Sequence, residues 1–143
     1  MENKIYYLAY GSNLNVEQMS RRCPNAIKVG SITLNDYELE FRIHLTIKPS
    51  KGKVVPIGVW QLDKDDEASL DIYEGYPYLY RKEYFDIILE GKVINALIYI
   101  MNDVRVIQLP SNEYMNTCLQ GYKDFDFDSK YLNKAYELAK KGE

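Results

Sequence analysis

Histidine and cysteine are scarce in this sequence, which restricts the chemistry that it can perform. His44 is the one histidine, and Cys23 and Cys118 are the two cysteines among 143 residues. A catalytic triad or a multi-histidine metal site would have to use that single histidine. Two cysteines outside any C-x-x-C pair are too few for a disulfide scaffold. We therefore expect reduced thiols, no cofactor and no bound metal.

Long runs of basic or apolar residues are also missing. The formal net charge is -3, and the basic runs are no longer than Arg21-Arg22 or Lys140-Lys141, so no surface for a nucleic acid backbone is expected. The apolar stretches are too short to span a bilayer, and the first residues lack the pattern of a secretory signal peptide. We expect a cytoplasmic protein that binds neither nucleic acid nor a membrane.

Apolar residues are abundant enough for one core. Hydrophobic residues make up 46% and charged residues 27% of the chain, which are ordinary values for a globular protein. A chain of this length can bury roughly two-thirds of its unfolded surface. We expect a single domain over residues 1–143.

The first third of the sequence predicts a strand, a turn and a helix. Residues 5–10 indicate a short buried strand, and Gly11 to Asn13 a turn. Asn15 can cap the helix that follows, with Gln18 placed as in a capping box and Pro24 soon after its end.

The middle of the sequence predicts two strands and a second helix. Alternation over 36–46 indicates a half-buried strand, residues 49–52 a loop, and residues 54–62 another strand. The acidic cluster 63–66 suits a helix amino terminus, and Gly75 lies where that helix would end.

A hairpin and two packing helices complete the prediction. Strands over 81–89 and 92–101 are joined by Glu90-Gly91. The helices are one capped by Ser111 that continues through Leu119 and ends at Gly121, and a final one with apolar residues at helical spacing over 132–139. This mixture predicts an α+β fold, with a small barrel or a strongly curled mixed sheet flanked by helices.

Several motifs occur in an order that resembles the γ-glutamylcyclotransferase-like (AIG2-like) family. They are Tyr10-Gly11-Ser12-Asn13-Leu14 after an apolar strand, Ser69-Leu70-Asp71-x-x-Glu74-Gly75 followed by Tyr80, Ile98-Tyr99-Ile100-Met101, Pro110-Ser111-x-x-Tyr114, and the terminal Lys-Lys-Gly-Glu. The resemblance covers nearly the whole chain. It implies a small β-barrel flanked by helices, and an enzyme that cyclises a γ-glutamyl group to 5-oxoproline and releases an amine or amino acid.

Glu74 matches the catalytic glutamate of that family. A helix carboxyl end bordered by Tyr73 and Tyr76 disfavours the ionised form and predicts a raised pKa. One carboxyl group could then act first as base and later as acid. The alternative is a solvated glutamate at the end of a helix.

The amides of Gly11, Ser12, Asn13 and Leu14 can converge on negative charge, either the substrate carboxylate or the developing oxyanion. The alternative is a simple strand-to-helix turn. If the hypothesis holds, these amides and Glu74 line one cavity.

Three tyrosines complete the predicted substrate site. Tyr80 and Tyr114 match family positions near the glutamyl pocket, and Tyr10, like Tyr99, is a weaker candidate. For each of them a packing role is the alternative. Arg42, Arg81 and His44 receive no role.

Three kinds of function remain open at this stage. The first is a cyclotransferase, including one that removes a γ-glutamyl protecting group from a biosynthetic intermediate. The second is a non-catalytic module that binds γ-glutamyl or acidic metabolites, and the third is a structural interaction domain. The sequence does not decide the leaving group, the pathway, or whether the chain is a monomer or a homodimer.

Overall fold

The computed structural model describes residues 4–142, in which a mixed β-sheet is flanked by helices. The elements are β1 (Ile5–Ala9), a 3-10 turn (Ser12–Leu14), α1 (Val16–Arg22), β2 (Ile27–Arg42), β3 (His44–Leu62), α2 (Lys64–Glu74), β4 (Tyr80–Leu89), β5 (Lys92–Met101), α3 (Asn112–Asp124) and α4 (Lys130–Lys141). None of the helices in this part of the chain combines the length and hydrophobicity that a membrane-spanning helix requires.

The sheet is mixed and strongly curled. Its five strands lie in the order β2-β3-β1-β5-β4, and β1 pairs parallel to β5 while the other neighbours are antiparallel. The edge strands β2 and β4 approach each other at Tyr37 and Phe85, whose ring centroids are 5.6 Å apart. No ladder joins these two edges within residues 4–142. The predicted α+β class is confirmed, with an open curled sheet instead of a closed barrel.

Strands β2 and β3 form a long hairpin that differs from the prediction. The predicted strand 36–46 is divided by a turn at Ile43, which has a φ of 70°, and the predicted loop 49–52 lies inside β3. Pro49 and Pro56 do not end β3. Since β1 pairs only with residues 58–62 of β3, the strand has no neighbour on its β1 side at either proline. Pro49 and Pro56 therefore need no amide donor on that side.

The helix starts lie where the sequence predicts them, and one helix end does not. The side chain of Asn15 caps α1 by accepting from the amide of Gln18, Asp63 caps α2, and left-handed Gly75 ends α2 as predicted. The predicted end of α3 at Gly121 is wrong, because the helix continues to Asp124. A Cβ at position 121 would lie 2.6 Å from the amide nitrogen of Asn15, so this glycine serves a close approach and not a helix end.

The core holds the turn after β1 in place. The Leu14 side chain is fully buried, and the indole Nε1 of Trp60 donates to the carbonyl of Asn13 over 2.9 Å. The close contact with Gly121 of α3 supports the same turn from the other side. Residues 11–14 are therefore fixed by packing.

Candidate active site

The turn at residues 11–14 presents unpaired amides. The amide of Leu14 donates to the carbonyl of Gly11, and that of Asn15 to Ser12, each over 3.0 Å. The amides of Ser12 and Asn13 have no hydrogen-bond partner within residues 4–142. Two adjacent donors in one turn can bind an anionic oxygen.

Glu74 lies beside this turn. It is the last residue of α2, and its Oε1 accepts from the side-chain Nδ2 of Asn13 over 3.3 Å. Burial raises the pKa of Glu74 to about 7, although the Arg22 charge and the Asn13 hydrogen bond act in the opposite direction. The predicted direction of the pKa shift is confirmed, and its main cause is desolvation.

Arg22 affects Glu74 without an ion pair between them. Its guanidinium stacks 3.5 Å from the centroid of the Tyr73 ring and donates to Oδ1 of Asn13 and to Oε1 of Gln18. The contact with Arg22 fixes the orientation of the Asn13 amide, so that its NH2 group faces Glu74. Asn13 thus connects the cation to the carboxyl group.

Glu74 and the turn line one cavity of about 120 Å³. Residues 11–13 form part of its wall, and so do tyrosines from several elements. The sequence hypothesis required this meeting of the amino-terminal turn with the end of α2. Leu14 does not line the cavity, because its side chain lies in the core and its amide is bound to Gly11.

The three predicted tyrosines all line this cavity. The Tyr10 hydroxyl donates to the carbonyl of Tyr99 over 2.7 Å, and the Tyr80 hydroxyl donates to the carbonyl of Leu45 over 2.6 Å. The Tyr114 hydroxyl accepts from the amide of Leu45 over 3.1 Å. Burial raises the pKa of all three phenols, so they are neutral hydroxyl groups.

Several cavity residues escaped the sequence reasoning. They are Tyr7, His44, Leu45, Tyr73, Leu79 and, as no more than a weak candidate, Tyr99. Tyr7 could have been found, since it lies in the strand that leads into the turn, and its hydroxyl accepts from Asn13 over 2.8 Å. No sequence pattern indicated that His44 lines the cavity, because its position depends on the turn at Ile43.

Arg42 and Arg81 lie on a different groove, between the β2–β3 hairpin and the β4–β5 pair. Arg42 pairs with Glu40 and Asp103, and Arg81 pairs with Glu83. Neither lines the cavity beside Glu74.

Comparisons with known proteins agree with this arrangement. The family model described as "Gamma-glutamyl cyclotransferase, AIG2-like" matches residues 7–122. The mouse protein named gamma-glutamylcyclotransferase is 30% identical over 90% of this chain and 75% of its own length, and the human protein of that name is 28% identical over 93% and 78%. A solved structure named gamma-glutamyl cyclotransferase has a TM-score of 0.77 at 28% identity and covers 93% of this chain and 86% of its own. The chain belongs to the γ-glutamyl cyclotransferase, AIG2-like family.

Proposed function

We propose that this protein is a γ-glutamylcyclotransferase, which converts the γ-glutamyl group of a small-molecule substrate to 5-oxoproline and releases the attached amine or amino acid. Family membership supports the class of reaction. The observation that carries the proposal is the half-buried carboxyl group of Glu74, with a pKa of about 7, in a cavity that Ser12 and Asn13 also line.

The substrate supplies the nucleophile in this reaction. Its α-amino nitrogen forms a bond to its own γ-carbonyl carbon, and the γ-amide bond to the leaving nitrogen breaks. Closing a five-membered ring within one molecule needs no serine or cysteine of the protein, because the reacting atoms are already held together. The protein must carry a proton from the α-nitrogen to the leaving nitrogen and stabilise one oxyanion, while a second proton of the α-nitrogen is lost to solvent.

Glu74 is the proposed carrier of that proton. At neutral pH a substantial share of the enzyme has Glu74 ionised, because its pKa is about 7. The carboxylate takes one proton from the α-ammonium group, and the resulting acid gives it to the departing nitrogen. The ring nitrogen loses its remaining extra proton as the ring amide forms, and the released amine takes up a proton from solvent. The carboxyl group is regenerated at the end of the cycle.

The turn at residues 11–13 is the proposed anion site. The unpaired amides of Ser12 and Asn13 suit the oxyanion or the α-carboxylate of the glutamyl group. Glycine at position 11 allows the turn to pack closely against Leu45, since a Cβ there would lie 3.2 Å from the Leu45 side chain. Tyr10, Tyr80 and Tyr114 supply a neutral, polar lining that avoids competing charges.

The size of the cavity suits part of a substrate. An apolar cavity of roughly 150 Å³ holds one benzene molecule, and the cavity beside Glu74 measures about 120 Å³. In the proposed mechanism it holds part of the glutamyl group, and the leaving group lies outside it. The limited volume supports the proposal that the reacting amide bond lies beside Glu74.

The test is formation of 5-oxoproline from a panel of γ-glutamyl amino acids, peptides and amines, measured by chromatography. Glu74→Gln keeps the shape of the side chain but cannot transfer the proton, so kcat/KM should fall by roughly 10²- to 10⁴-fold. Glu137→Gln, on the exposed face of α4, is the matched control and should retain the wild-type rate.

Two results would contradict different parts of the proposal. Undiminished turnover by Glu74→Gln would remove Glu74 from the mechanism while leaving the reaction intact. Absence of 5-oxoproline from every substrate, together with ligand-induced increases in melting temperature, would instead identify a binding module.

A further inference from the structure

A second cavity lies between the β2–β3 hairpin and α4. Its volume is about 480 Å³, against about 120 Å³ for the cavity beside Glu74. Among residues 4–142 the two cavities share no lining residue. Binding pockets for small molecules measure roughly 300–1,000 Å³, so the second cavity is large enough for a small organic molecule.

The floor of the second cavity is apolar. Leu39 and Ala135, which line it, belong to the buried core. Val54 and Leu138 line it as well and are partly buried. A hydrocarbon group that entered the cavity would remove this apolar surface from water, which is favourable.

The same cavity is lined by exposed cations. They are Lys53, Lys130 and Lys134, and none of them forms an ion pair within residues 4–142. Glu38 is the one carboxylate among the described lining residues, and it pairs with Lys48 over 3.6 Å. The lining therefore carries a net positive charge.

Lys53 and Lys134 lie side by side although both are cations. Contact with the ammonium group of Lys53 lowers the pKa of Lys134, and the charge of Lys53 acts in the same direction. A neighbouring like charge disfavours the charged form of a group. An anion placed between the two ammonium groups would relieve their repulsion, so this pair favours the binding of negative charge.

The backbone of β3 holds Lys53 in this position. The register of the β2–β3 hairpin shifts after Asn35, so that residues 50–53 lie opposite Asp36 alone. The amide of Gly52 donates to Oδ1 of Asp36 over 2.9 Å, and the φ of Gly52 is 84°, a conformation that favours glycine. A lysine on such a fixed bulge needs little further ordering of its backbone when it binds an anion.

We propose that this second cavity binds an amphipathic phosphate monoester, a small molecule in which a hydrocarbon group carries a phosphate. The hydrocarbon group covers the apolar floor, and the phosphate lies between the lysines. Lysine is a common phosphate-binding residue, and a phosphate monoester carries a charge of about −1.5 to −2 at pH 7, which suits three lysines better than a single carboxylate does. The proposal is independent of the cyclotransferase function, since it involves a different cavity.

The experiment measures the binding of octyl phosphate by isothermal titration calorimetry, below its critical micelle concentration and at low salt. Octan-1-ol has the same hydrocarbon group without the charge, and inorganic phosphate has the charge without the hydrocarbon group. Octyl phosphate should bind at least roughly tenfold more tightly than either. Octanoate, with one negative charge, should bind several-fold more weakly than octyl phosphate. Added salt should weaken the binding of octyl phosphate and not that of octan-1-ol.

Substitutions locate the bound phosphate. The double variant with Lys53→Gln and Lys134→Gln should bind octyl phosphate roughly tenfold more weakly than the wild-type protein. The matched control is Lys92→Gln, because Lys92 is an exposed lysine at the start of β5 that does not line this cavity. It should keep the wild-type affinity. A melting curve for each variant shows that it is folded, and the comparison of ligands tests the proposal without any substitution.

Four results would overturn the proposal. Equal affinities for octyl phosphate and octan-1-ol would show that the lysines contribute nothing. Equal affinities for octyl phosphate and octanoate would remove the assignment to phosphate. Wild-type affinity in the double variant would place the phosphate elsewhere on the protein. Sedimentation velocity that showed a homodimer of the wild-type protein and a monomer of the double variant would assign this surface to a second copy of the chain.

Discussion

Two carboxyl groups of this protein, Glu40 and Glu74, are both withdrawn from water but occupy opposite electrostatic surroundings. Glu40 is 5% exposed and accepts from Arg42 over 2.6 Å and from Lys48 over 2.8 Å. Burial raises its pKa, but the hydrogen bonds from these cations outweigh burial, so the pKa of Glu40 is lowered. Glu74 receives its hydrogen bond from the neutral amide of Asn13, and its pKa is raised to about 7.

The difference shows that burial alone does not create a proton-transfer group. Glu40 has the smaller exposed surface of the two side chains, yet adjacent cations keep it ionised. At Glu74 the cation that lowers the pKa, Arg22, is bound to Asn13 and stacked on Tyr73. Its charge reaches the carboxyl group without a direct ion pair, so desolvation dominates.

The largest expected effect on stability is that of Glu40→Gln. This change leaves Arg42 and Lys48 without their shared anion, and removing one partner of a buried ion pair costs about 3–5 kcal/mol when both are fully buried. Because the two cations are 24% and 43% exposed, we expect a loss of about 2–3 kcal/mol in the free energy of unfolding at pH 7. Urea denaturation of the variant and the wild-type protein measures it.

The pH dependence of this loss has a definite sign. A lowered folded-state pKa stabilises the protein above the unfolded value of 4.5, and that contribution disappears as the pH falls through the folded pKa. The difference between Glu40→Gln and the wild-type protein should therefore shrink in acid. A difference that stayed constant down to low pH would show that packing, and not charge, accounts for the loss.

Glu74→Gln should have the opposite effect on stability. The folded pKa of about 7 lies above the unfolded value of 4.5, so ionisation destabilises the folded protein increasingly as the pH rises between these values. The neutral amide avoids that cost. The free energy of unfolding of the variant should equal that of the wild-type protein near pH 4. Near pH 8 it should be about 2 kcal/mol higher, after allowance for the partial exposure of the side chain. Melting temperatures of both proteins, measured across this pH range, test the expectation. A difference that stayed the same at every pH would contradict it.

The sequence allowed Glu74 to be found because its signals are local. An acidic helix start, a terminal glycine and the resemblance around Glu74 agree on one position, and the capped helix is confirmed. The cavity wall around His44 could not be predicted in the same way. Its location depends on the turn at Ile43, a β-branched residue at positive φ, and on the contact of that turn with Gln108. Alternation along the chain carries no information about such a distant contact.

The smallest expected effect concerns Arg22, which lowers the pKa of Glu74 from its place beneath Asn13. Arg22→Met keeps an unbranched apolar stem but removes the charge, so the pKa of Glu74 should rise further. In the proposed mechanism the ionised form of Glu74 starts the reaction, and the rise of kcat/KM with pH should therefore move to higher pH. At pH 7 the loss should be at most about threefold, and the rate should approach that of the wild-type protein near pH 8.5.

The control is Arg21→Met, because the guanidinium of Arg21 lies on the surface beside Glu17. This variant should keep the wild-type pH profile. A uniform loss at every pH would mean that Arg22 acts by orienting Asn13 alone, and a shift to lower pH would contradict the role of its charge.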